Sequence, residues 1–148
     1  MSAMVHDQNP SFHVSVTRTT PTTARAEAHG QDLDVAIKGG DPTLGFTPPE
    51  TLLAALGGCI LSNVTRKAAE MGLVIEGAEV VIDAARRSEP LGIDPLRYRL
   101  ILTSDEPAAR LQELYQIATT DGAATNAILN GVTPESELVV QPRVGLKP

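Results

Sequence analysis

The sequence predicts an α+β domain in which several antiparallel strands pack around one long, buried helix. Short segments of alternating apolar and polar residues indicate half-buried strands. A nearly all-apolar run from Thr47 to Asn63 carries the signals of a helix start. The chain has 148 residues, enough to bury a core in one domain without disulfides or a structural metal. We therefore expect a single domain over residues 11–148, preceded by a disordered tail over residues 1–10.

The first part of the domain is predicted to be a meander of three short strands. Apolar and polar residues alternate from Phe12 to Thr17, and a second alternation runs from Thr23 to His29. After a turn at Gly30-Gln31, the run LDVAI over residues 33–37 continues the pattern. The glycines and prolines of GGDPTLGFTPP, residues 39–49, then indicate a loop.

A long helix is predicted to begin after Thr47 and to end at Gly72. Thr47 is a good N-cap residue, prolines suit the first helical positions, and Glu50 completes a capping box. Gly72 is a natural C-terminal cap. More than half of the helix circumference is covered by apolar side chains: Leu52, Leu53, Leu56, Ile60, Leu61 and Val64. We expect such a helix to be buried on most sides.

The second half of the chain is predicted to contain three strands and two helices. The runs AEVVIDAA and RYRLILTS read as strands, separated by a loop around Pro90 to Pro95. A second helix is expected to open near Ser104 to Pro107 and to stop near Asp121-Gly122, and the short helix AATNAIL follows it. The run ELVVQPRV is predicted to close the chain as a strand whose Pro142 suits a sheet edge.

Composition excludes several classes of function. The formal net charge is −6, so the chain has no electrostatic reason to bind nucleic acid or an anionic membrane. No secretory signal is visible, and the longest apolar run is far shorter than the roughly 20 residues that span a bilayer. We expect a cytoplasmic protein. The three histidines are scattered and no P-loop or hydrolase motif is present, so we expect neither a metal nor a cofactor.

The remaining candidate for chemistry is Cys59, the single cysteine of the chain. Free cysteine is among the most buried residue types, so one interpretation is a small apolar side chain that fills the core. The other interpretation is a nucleophile. Cys59 lies in the middle of its helix, where the helix dipole lowers a pKa only weakly. A reactive thiolate would therefore need a cation from elsewhere in the fold.

The segment PPETLLAALGGCIL, residues 48–61, followed by MGL, resembles the hallmark helix of the OsmC/Ohr family of osmotically inducible and organic-hydroperoxide-resistance proteins. The predicted order of elements is also similar to that family over nearly the whole chain. The resemblance implies an OsmC-like fold and an intertwined homodimer with sites between the subunits. It also implies that Cys59 attacks the O–O bond of an organic hydroperoxide and becomes a sulfenic acid. Glu50 would hold an arginine that stabilises the thiolate.

The chain departs from the family pattern at two points. The resolving cysteine of the family usually begins a Cys-Pro-x-x-Asn stretch, and here Gly122 and Ala123 stand in place of Cys-Pro, with Asn126 retained. An intramolecular disulfide is therefore impossible. The family arginine lies in the turn between the first two strands, where this chain offers Arg18 and Arg25. We favour Arg18, because its strand parity with Val16 directs it to the core face, while a solvated surface arginine is an equally open interpretation for each.

Helix geometry separates Glu50 from Cys59. Nine residues turn through about 900° and rise roughly 13 Å, so the two side chains face opposite sides of a straight helix. A shared site would need a bridging arginine, an irregular first turn, or a contribution from the partner subunit. The alternative role for Glu50 is the capping box alone.

The leading prediction is a homodimeric, thiol-dependent peroxidase in which Cys59, Glu50 and Arg18 act on a small organic hydroperoxide and an external thiol reduces the cysteine. One alternative is an OsmC-fold protein that binds a small apolar ligand in a pocket at the dimer interface. Another is a purely structural role with an inert Cys59. Neither nucleic acid nor a membrane is expected as a partner.

Overall fold

The computed structural model describes residues 11–141. The predicted N-terminal tail and Pro142 lie outside these residues. Within them the chain forms, in order, β1 (Ser15–Thr20), β2 (Thr23–Ala28), β3 (Gln31–Ala36), α1 (Pro48–Glu70), β4 (Gly77–Ser88), β5 (Leu91–Thr103), α2 (Ala108–Thr120) and α3 (Ala123–Asn130). The predicted α+β class is confirmed.

The first three strands form an antiparallel sheet in the order β1-β2-β3. Ala28 pairs with Gln31, so the turn between β2 and β3 is His29-Gly30, one residue earlier than the sequence predicts. Both turn residues have positive φ, 53° at His29 and 76° at Gly30. Two positive φ values are the signature of a tight type I′ hairpin, which matches the twist of the flanking strands.

Strand β1 begins at Ser15, later than the predicted start at Phe12, and the single chain does not bury its apolar face. Phe12 is 80% exposed and Val14 is 59% exposed. The strand lies at a sheet edge and pairs only with β2. The predicted strand is present, but its apolar side chains are exposed, because the described elements bury this face of the sheet only at Ala24 and Val35 of the neighbouring strands.

Strands β4 and β5 form a long antiparallel hairpin. The predicted loop around Pro90 to Pro95 is wrong, because β5 begins at Leu91 and continues through Pro95. The pairing changes register at this point: Ala84 pairs with Leu96, whereas Arg86 pairs with Ile93. This irregularity leaves Asp94 and Pro95 out of the ladder, and a bulge of this kind is where a strand tolerates a proline without an N–H.

Helix α1 has the predicted start and end. The Thr47 hydroxyl accepts a hydrogen bond from the backbone N–H of Glu50, and the Glu50 carboxylate accepts one from the backbone N–H of Thr47. This reciprocal capping box satisfies two N–H groups that the helix itself leaves unpaired. At the other end Met71 is the C-cap, and Gly72 follows with a φ of 68°.

The core lies between α1, α2 and the hairpin. Ile60 of α1 and Leu114 of α2 are both fully buried, and Ala118 lies beside them. The buried positions of α1 follow a helical stripe: Leu56, Gly57, Ile60, Asn63, Val64 and Ala68. The expectation of burial on most sides is therefore wrong for the single chain, since Ala54, Gly58 and Thr65 on the other side of the helix are exposed. The helices α2 and α3 and the β4-β5 hairpin together cover only one stripe of α1.

The predicted final strand is not formed within the described residues. Residues 131–141 have no regular secondary structure and are exposed. Leu138, Val139 and Val140 are 87%, 70% and 78% exposed, respectively. A β-strand requires a neighbouring edge for its N–H and C=O groups, and no edge within residues 11–141 pairs with this segment.

Leu114→Ala is expected to lower the free energy of unfolding by about 2–5 kcal/mol, because it leaves a cavity beside Ile60 in the core. Urea unfolding followed by circular dichroism measures the loss. The matched control is Leu129→Ala on α3, where the side chain is 68% exposed. We expect the control to change stability by less than about 0.5 kcal/mol. Equal losses in the two variants would contradict this location of the core.

Candidate functional site

Cys59 faces the N-terminal end of α3. Its side chain is partly buried, and the Thr125 hydroxyl donates a hydrogen bond to Sγ over 3.6 Å. The backbone N–H groups of Thr125 and Ala124 also donate to the sulfur. Gly122 is the N-cap of α3, so these N–H groups belong to its first turn, which has no carbonyl partners within its own helix. The sulfur thus occupies the place of a helix cap.

The hydrogen bonds decide the ionisation of Cys59. Burial raises the pKa of the thiol, but the Thr125 N–H, the Thr125 hydroxyl and the Ala124 N–H together lower it by more. The negative charge of Asp121 acts in the same direction as burial. The net pKa of Cys59 lies below the usual value for cysteine. A thiolate at this position is stabilised by N–H and O–H donors from another helix, rather than by the cation that the sequence led us to expect.

Gly122 allows this close approach. Its φ of 136° lies in a region that L side chains rarely adopt. A Cβ atom built on Gly122 would lie 2.5 Å from Cys59 Sγ and 2.9 Å from Asn63 Nδ2. Any side chain at this position would therefore push α3 away from the thiol.

Asn63, one turn after Cys59, connects α1 to the turn between α2 and α3. The residue is only 7% exposed. Its Nδ2 donates to the carbonyl of Ala118 over 3.3 Å and to the carbonyl of Asp121, the residue before Gly122. Its Oδ1 accepts a hydrogen bond from Arg66 Nη2 over 3.4 Å. The buried amide is therefore satisfied on both sides.

Glu50 lies at the start of α1 and serves the capping box. The backbone N–H of Thr47 is the main cause that lowers the pKa of the Glu50 carboxyl, and the Thr47 hydroxyl adds to it. The carboxylate lines a cleft with Leu53, Gly57 and Leu61 of α1 on the side of β4. Since Cys59 contacts α3, Glu50 and Cys59 lie on opposite sides of α1, as the helix geometry predicted.

An apolar cavity of about 410 Å³ lies beside the start of α1. Its walls come from the first turns of α1 and from both strands of the β4-β5 hairpin near its tip. The lining residues are Pro49, Glu50, Leu53, Ala84, Ala85, Arg86, Leu91, Gly92 and Ile93. Most of the surface is aliphatic, and the polar groups are those of Glu50 and Arg86, so the cavity suits a small apolar molecule.

The two candidate arginines face different ways on the first sheet. Arg18 pairs with Ala24 across β1 and β2, and directly paired residues share a face, so Arg18 lies on the side where Ala24 is buried. Arg25 lies on the other side and forms ion pairs with Asp32 at 3.7 Å and Asp34 at 3.4 Å. Within residues 11–141, no hydrogen bond or ion pair joins Arg18 to Glu50 or Cys59. A role for Arg18 and Glu50 in a common site with Cys59 stays a prediction.

Residues 11–141 contain neither a metal-binding cluster nor a membrane-spanning helix. No group of three or more His, Cys, Asp or Glu side chains comes together there in a way that could hold a metal ion. None of the helices in this part of the chain combines the length and the hydrophobicity needed to cross a membrane.

Sequence reasoning missed Thr125 and Asn63 as neighbours of Cys59. Thr125 is 66 residues away in the chain, and only the packing of α3 against α1 brings its hydroxyl to the sulfur. The available signal was the Gly122 break before AATNAIL, which places Thr125 in the first turn of a helix. For Asn63, the signal was a polar residue on the stripe that also carries Ile60 and Val64.

The comparisons with solved structures concern the fold. An OsmC-like protein from Mycoplasma pneumoniae superposes with a TM-score of 0.75 at 14% identity, over 83% of this chain and 90% of that one. The organic hydroperoxide resistance protein OhrB of Bacillus subtilis gives a TM-score of 0.60 at 16% identity, over 82% and 92% of the two chains. An organic hydroperoxide resistance protein from Legionella pneumophila gives a TM-score of 0.66 at 15% identity, over 82% and 91%.

The sequence comparison identifies the family. No curated protein sequence matches the chain. The family model described as OsmC-like protein matches residues 38–137, which include α1 with Cys59, the β4-β5 hairpin and the start of α3 with Gly122 and Thr125. The match covers more than half of the chain and agrees with the fold of the solved structures. The chain therefore belongs to the OsmC-like protein family.

Proposed function

We propose that the protein is a thiol-dependent peroxidase that reduces organic hydroperoxides through Cys59 alone. The observation that carries the proposal is the hydrogen bond of 3.6 Å from the Thr125 hydroxyl to the Cys59 sulfur at the first turn of α3, where the backbone of Thr125 and Ala124 also lowers the pKa of the thiol. A lowered pKa increases the fraction of thiolate, and the thiolate is the nucleophile. The organic hydroperoxide resistance proteins of Bacillus subtilis and Legionella pneumophila, which share the fold, support the choice of substrate class.

The first half-reaction is a displacement at oxygen. The Cys59 thiolate attacks the terminal oxygen of the hydroperoxide, an S–O bond forms, and the O–O bond breaks. The electron pair of the O–O bond leaves on the alkoxide, which takes a proton from solvent and becomes an alcohol. Cys59 is then a sulfenic acid. The donors from α3 also stabilise the negative charge that the sulfur carries before attack.

The second half-reaction needs thiols from outside the chain, because the sequence contains one cysteine. A first external thiolate attacks the sulfenic sulfur and forms a mixed disulfide, and the S–O bond breaks to release hydroxide, which takes a proton from solvent and becomes water. A second thiolate, or the second sulfur of a dithiol, attacks the mixed disulfide and releases the Cys59 thiolate with an oxidised external disulfide. Without this reductant, Cys59 would be open to further oxidation to the sulfinic acid.

Glu50 and Arg18 complete the proposed site through a homodimer. Glu50 faces away from Cys59 in one chain, so its carboxylate and the Arg18 guanidinium would act on a thiol in combination with a second subunit. Arg18 suits this role better than Arg25, because Arg25 is engaged by Asp32 and Asp34 on the opposite face of the sheet. The exposed apolar side chains of the single chain support a dimer, since large uncovered apolar areas usually mark an interface. They include Phe12, Val14, Val16, Phe46, Leu52, Leu138, Val139 and Val140.

A second candidate function is the binding of a small apolar ligand without peroxidase chemistry. The aliphatic cavity of about 410 Å³ between α1 and the β4-β5 hairpin favours it. This function would use Leu53 and Ile93 of the cavity wall and would leave Cys59 unreacted. The two functions therefore differ in what happens to the thiol.

Adding one equivalent of cumene hydroperoxide is expected to remove the Cys59 thiol within seconds, with one sulfenic acid formed per chain. Thiol titration measures the loss, and mass spectrometry after dimedone trapping identifies the sulfenic acid. Turnover should then require an added thiol or dithiol. The control Cys59→Ser should consume no hydroperoxide. A thiol that reacts no faster than free cysteine, together with retention of an apolar ligand, would support the binding function and refute the enzyme.

Thr125→Val is expected to slow alkylation of Cys59 by iodoacetamide near neutral pH by about two- to tenfold, the range for one lost hydrogen bond. The hydroxyl that donates to the sulfur is removed while the shape of the side chain is kept, so the thiol pKa rises. The matched control Thr125→Ser keeps the donor and should react like the wild type. The rate is measured against pH, and an unchanged midpoint in Thr125→Val would contradict the assignment.

The same pKa shift predicts a pH dependence of stability. Because the pKa of Cys59 is lower in the folded chain than in the unfolded chain, the unfolded chain binds more protons between the two values. The stability of the wild type relative to Cys59→Ser should therefore increase as pH rises from the folded pKa to the ordinary cysteine pKa. Below the folded pKa this advantage should disappear. Urea unfolding at a series of pH values tests the sign.

Light scattering is expected to give twice the mass of one chain for the wild type. Leu52→Glu should shift the equilibrium towards the monomer, since it places a charge on the exposed apolar face of α1. The control is Thr65→Glu, at an exposed position on a different side of the same helix. A monomeric wild type at micromolar concentration would refute the proposed dimer.

A further inference from the structure

Cys59, Asn63 and Arg66 form one line along α1. Their spacing of four and then three residues puts them on the same side of the helix. This side faces the turn at Asp121-Gly122, where α2 ends and α3 begins. The line therefore contains the sulfur, a buried amide and a guanidinium, all directed at one turn.

Asn63 donates hydrogen bonds to two backbone carbonyl groups at the end of α2. The last carbonyl groups of a helix have no partners within the helix, and here those of Ala118 and Asp121 accept hydrogen bonds from Asn63 Nδ2. Asp121 is joined directly to Gly122, the N-cap of α3. The Asn63 amide thus holds the N-terminus of α3 against α1. This contact lies one turn of α1 away from the Cys59 sulfur, which accepts a hydrogen bond from α3.

Arg66 forms an ion pair with the Asp121 carboxylate at the same turn. The Asp121 carboxylate opposes ionisation of Cys59, because a negative charge disfavours a second one nearby. Arg66 Nη2 lies 3.9 Å from Asp121 Oδ2, and Arg66 Nη1 lies 3.4 Å from Glu70 Oε1. The guanidinium also donates to Asn63 Oδ1. The Arg66 guanidinium therefore both offsets the Asp121 charge and orients the Asn63 amide.

We propose that Asn63 and Arg66 are positioning residues for Cys59: Asn63 holds the Asp121-Gly122 turn so that the first N–H groups of α3 meet the sulfur, and Arg66 offsets the Asp121 carboxylate. The inference rests on the proposed function only in taking Cys59 as the reacting group. Within residues 11–141 neither residue forms a hydrogen bond to the sulfur. Both act through the turn, and their effect is on the ionisation of the thiol.

Asn63→Ala tests the first half of the proposal. Alkylation of Cys59 by iodoacetamide is measured as a function of pH, so that the midpoint reports ionisation and the high-pH plateau reports access. We expect the midpoint to move to higher pH and the rate at pH 7 to fall by about five- to tenfold relative to the plateau. The control Thr65→Ala, whose hydroxyl bonds only within α1, should leave the midpoint unchanged. An unchanged midpoint in a natively folded Asn63→Ala variant would overturn the role of Asn63.

Arg66→Gln and Asp121→Asn test the second half as a double-mutant cycle. Arg66 is half exposed, so Arg66→Gln is compatible with folding even if Asn63→Ala is not. Arg66→Gln should slow alkylation at pH 7 by about two- to fivefold, the range for a partly exposed ion pair, and Asp121→Asn should accelerate it. In the Asp121→Asn background the effect of Arg66→Gln should be clearly smaller, because only the hydrogen bond from Arg66 to Asn63 Oδ1 is then lost. The effect should also shrink at high salt, because the pair is exposed to solvent. An equal effect of Arg66→Gln in both backgrounds would overturn the proposed route through Asp121.

The readout separates this inference from the proposed function, because no hydroperoxide is used. A wild-type thiol with a low midpoint that responds to these variants but does not consume hydroperoxide would refute the peroxidase and keep the positioning role. A wild type that consumes hydroperoxide while its midpoint is insensitive to Asn63→Ala and Arg66→Gln would refute the positioning role alone.

Discussion

The structure depends on the packing of the buried stripe of α1 against α2. Ile60 and Leu114 belong to the same buried cluster and are completely shielded from solvent. This packing holds α2 against α1, and α3 begins three residues after α2 ends. The chemistry of Cys59 follows from this arrangement, because Cys59 is the residue next to Ile60 in the chain and its sulfur lies where α3 starts. A hydrophobic contact thus sets the environment of a polar site.

Helix α1 carries two candidate sites on opposite sides. On one side, Cys59 receives donors from α3 and is linked through Asn63 to the α2-α3 turn. On the other, Glu50 closes the capping box and lines the clefts next to the β4-β5 hairpin. The family resemblance would join these residues in one site. In the single chain they are separate, so a joint role depends on a second subunit, whereas the donors that act on the sulfur come from the chain itself.

Local features of the fold could be predicted from the sequence, and features that depend on distant contacts could not. The capping box needs only Thr47 and Glu50, which are three residues apart, and it is present. The opposite orientation of Glu50 and Cys59 follows from helix geometry alone and is also observed. The predicted final strand is not formed in the part of it that the structure describes, up to Gln141, because its sequence pattern says nothing about a partner edge. The predicted loop from Pro90 to Pro95 is wrong because β5 continues past Pro95 through a bulge that leaves Pro95 unpaired, and a bulge has no local signature here.

The environment of Cys59 was the most difficult feature to predict. The position of Cys59 in the middle of α1 predicts only a weak effect of the α1 dipole on its pKa, and the sequence therefore predicts a cation near the sulfur. The donors to the sulfur instead lie in the first turn of α3, and nothing near Cys59 in the sequence points to Thr125. The cysteine could be singled out as the candidate nucleophile, but the groups that tune it are defined by tertiary packing.

Gly122 has a consequence for how the site can evolve or be redesigned. The donors of α3 reach the sulfur only because no Cβ stands between the two helices, and the position that a Cβ would take is 2.5 Å from Sγ. A disulfide partner placed at this position would have to move the helix whose N–H groups stabilise the thiolate. On this backbone, therefore, the hydrogen bonds from α3 to the thiolate and a second thiol at position 122 would need the same space beside Cys59 Sγ. Gly122 fits the first arrangement, so the proposed redox cycle of Cys59 would depend on the concentration of thiols outside the chain.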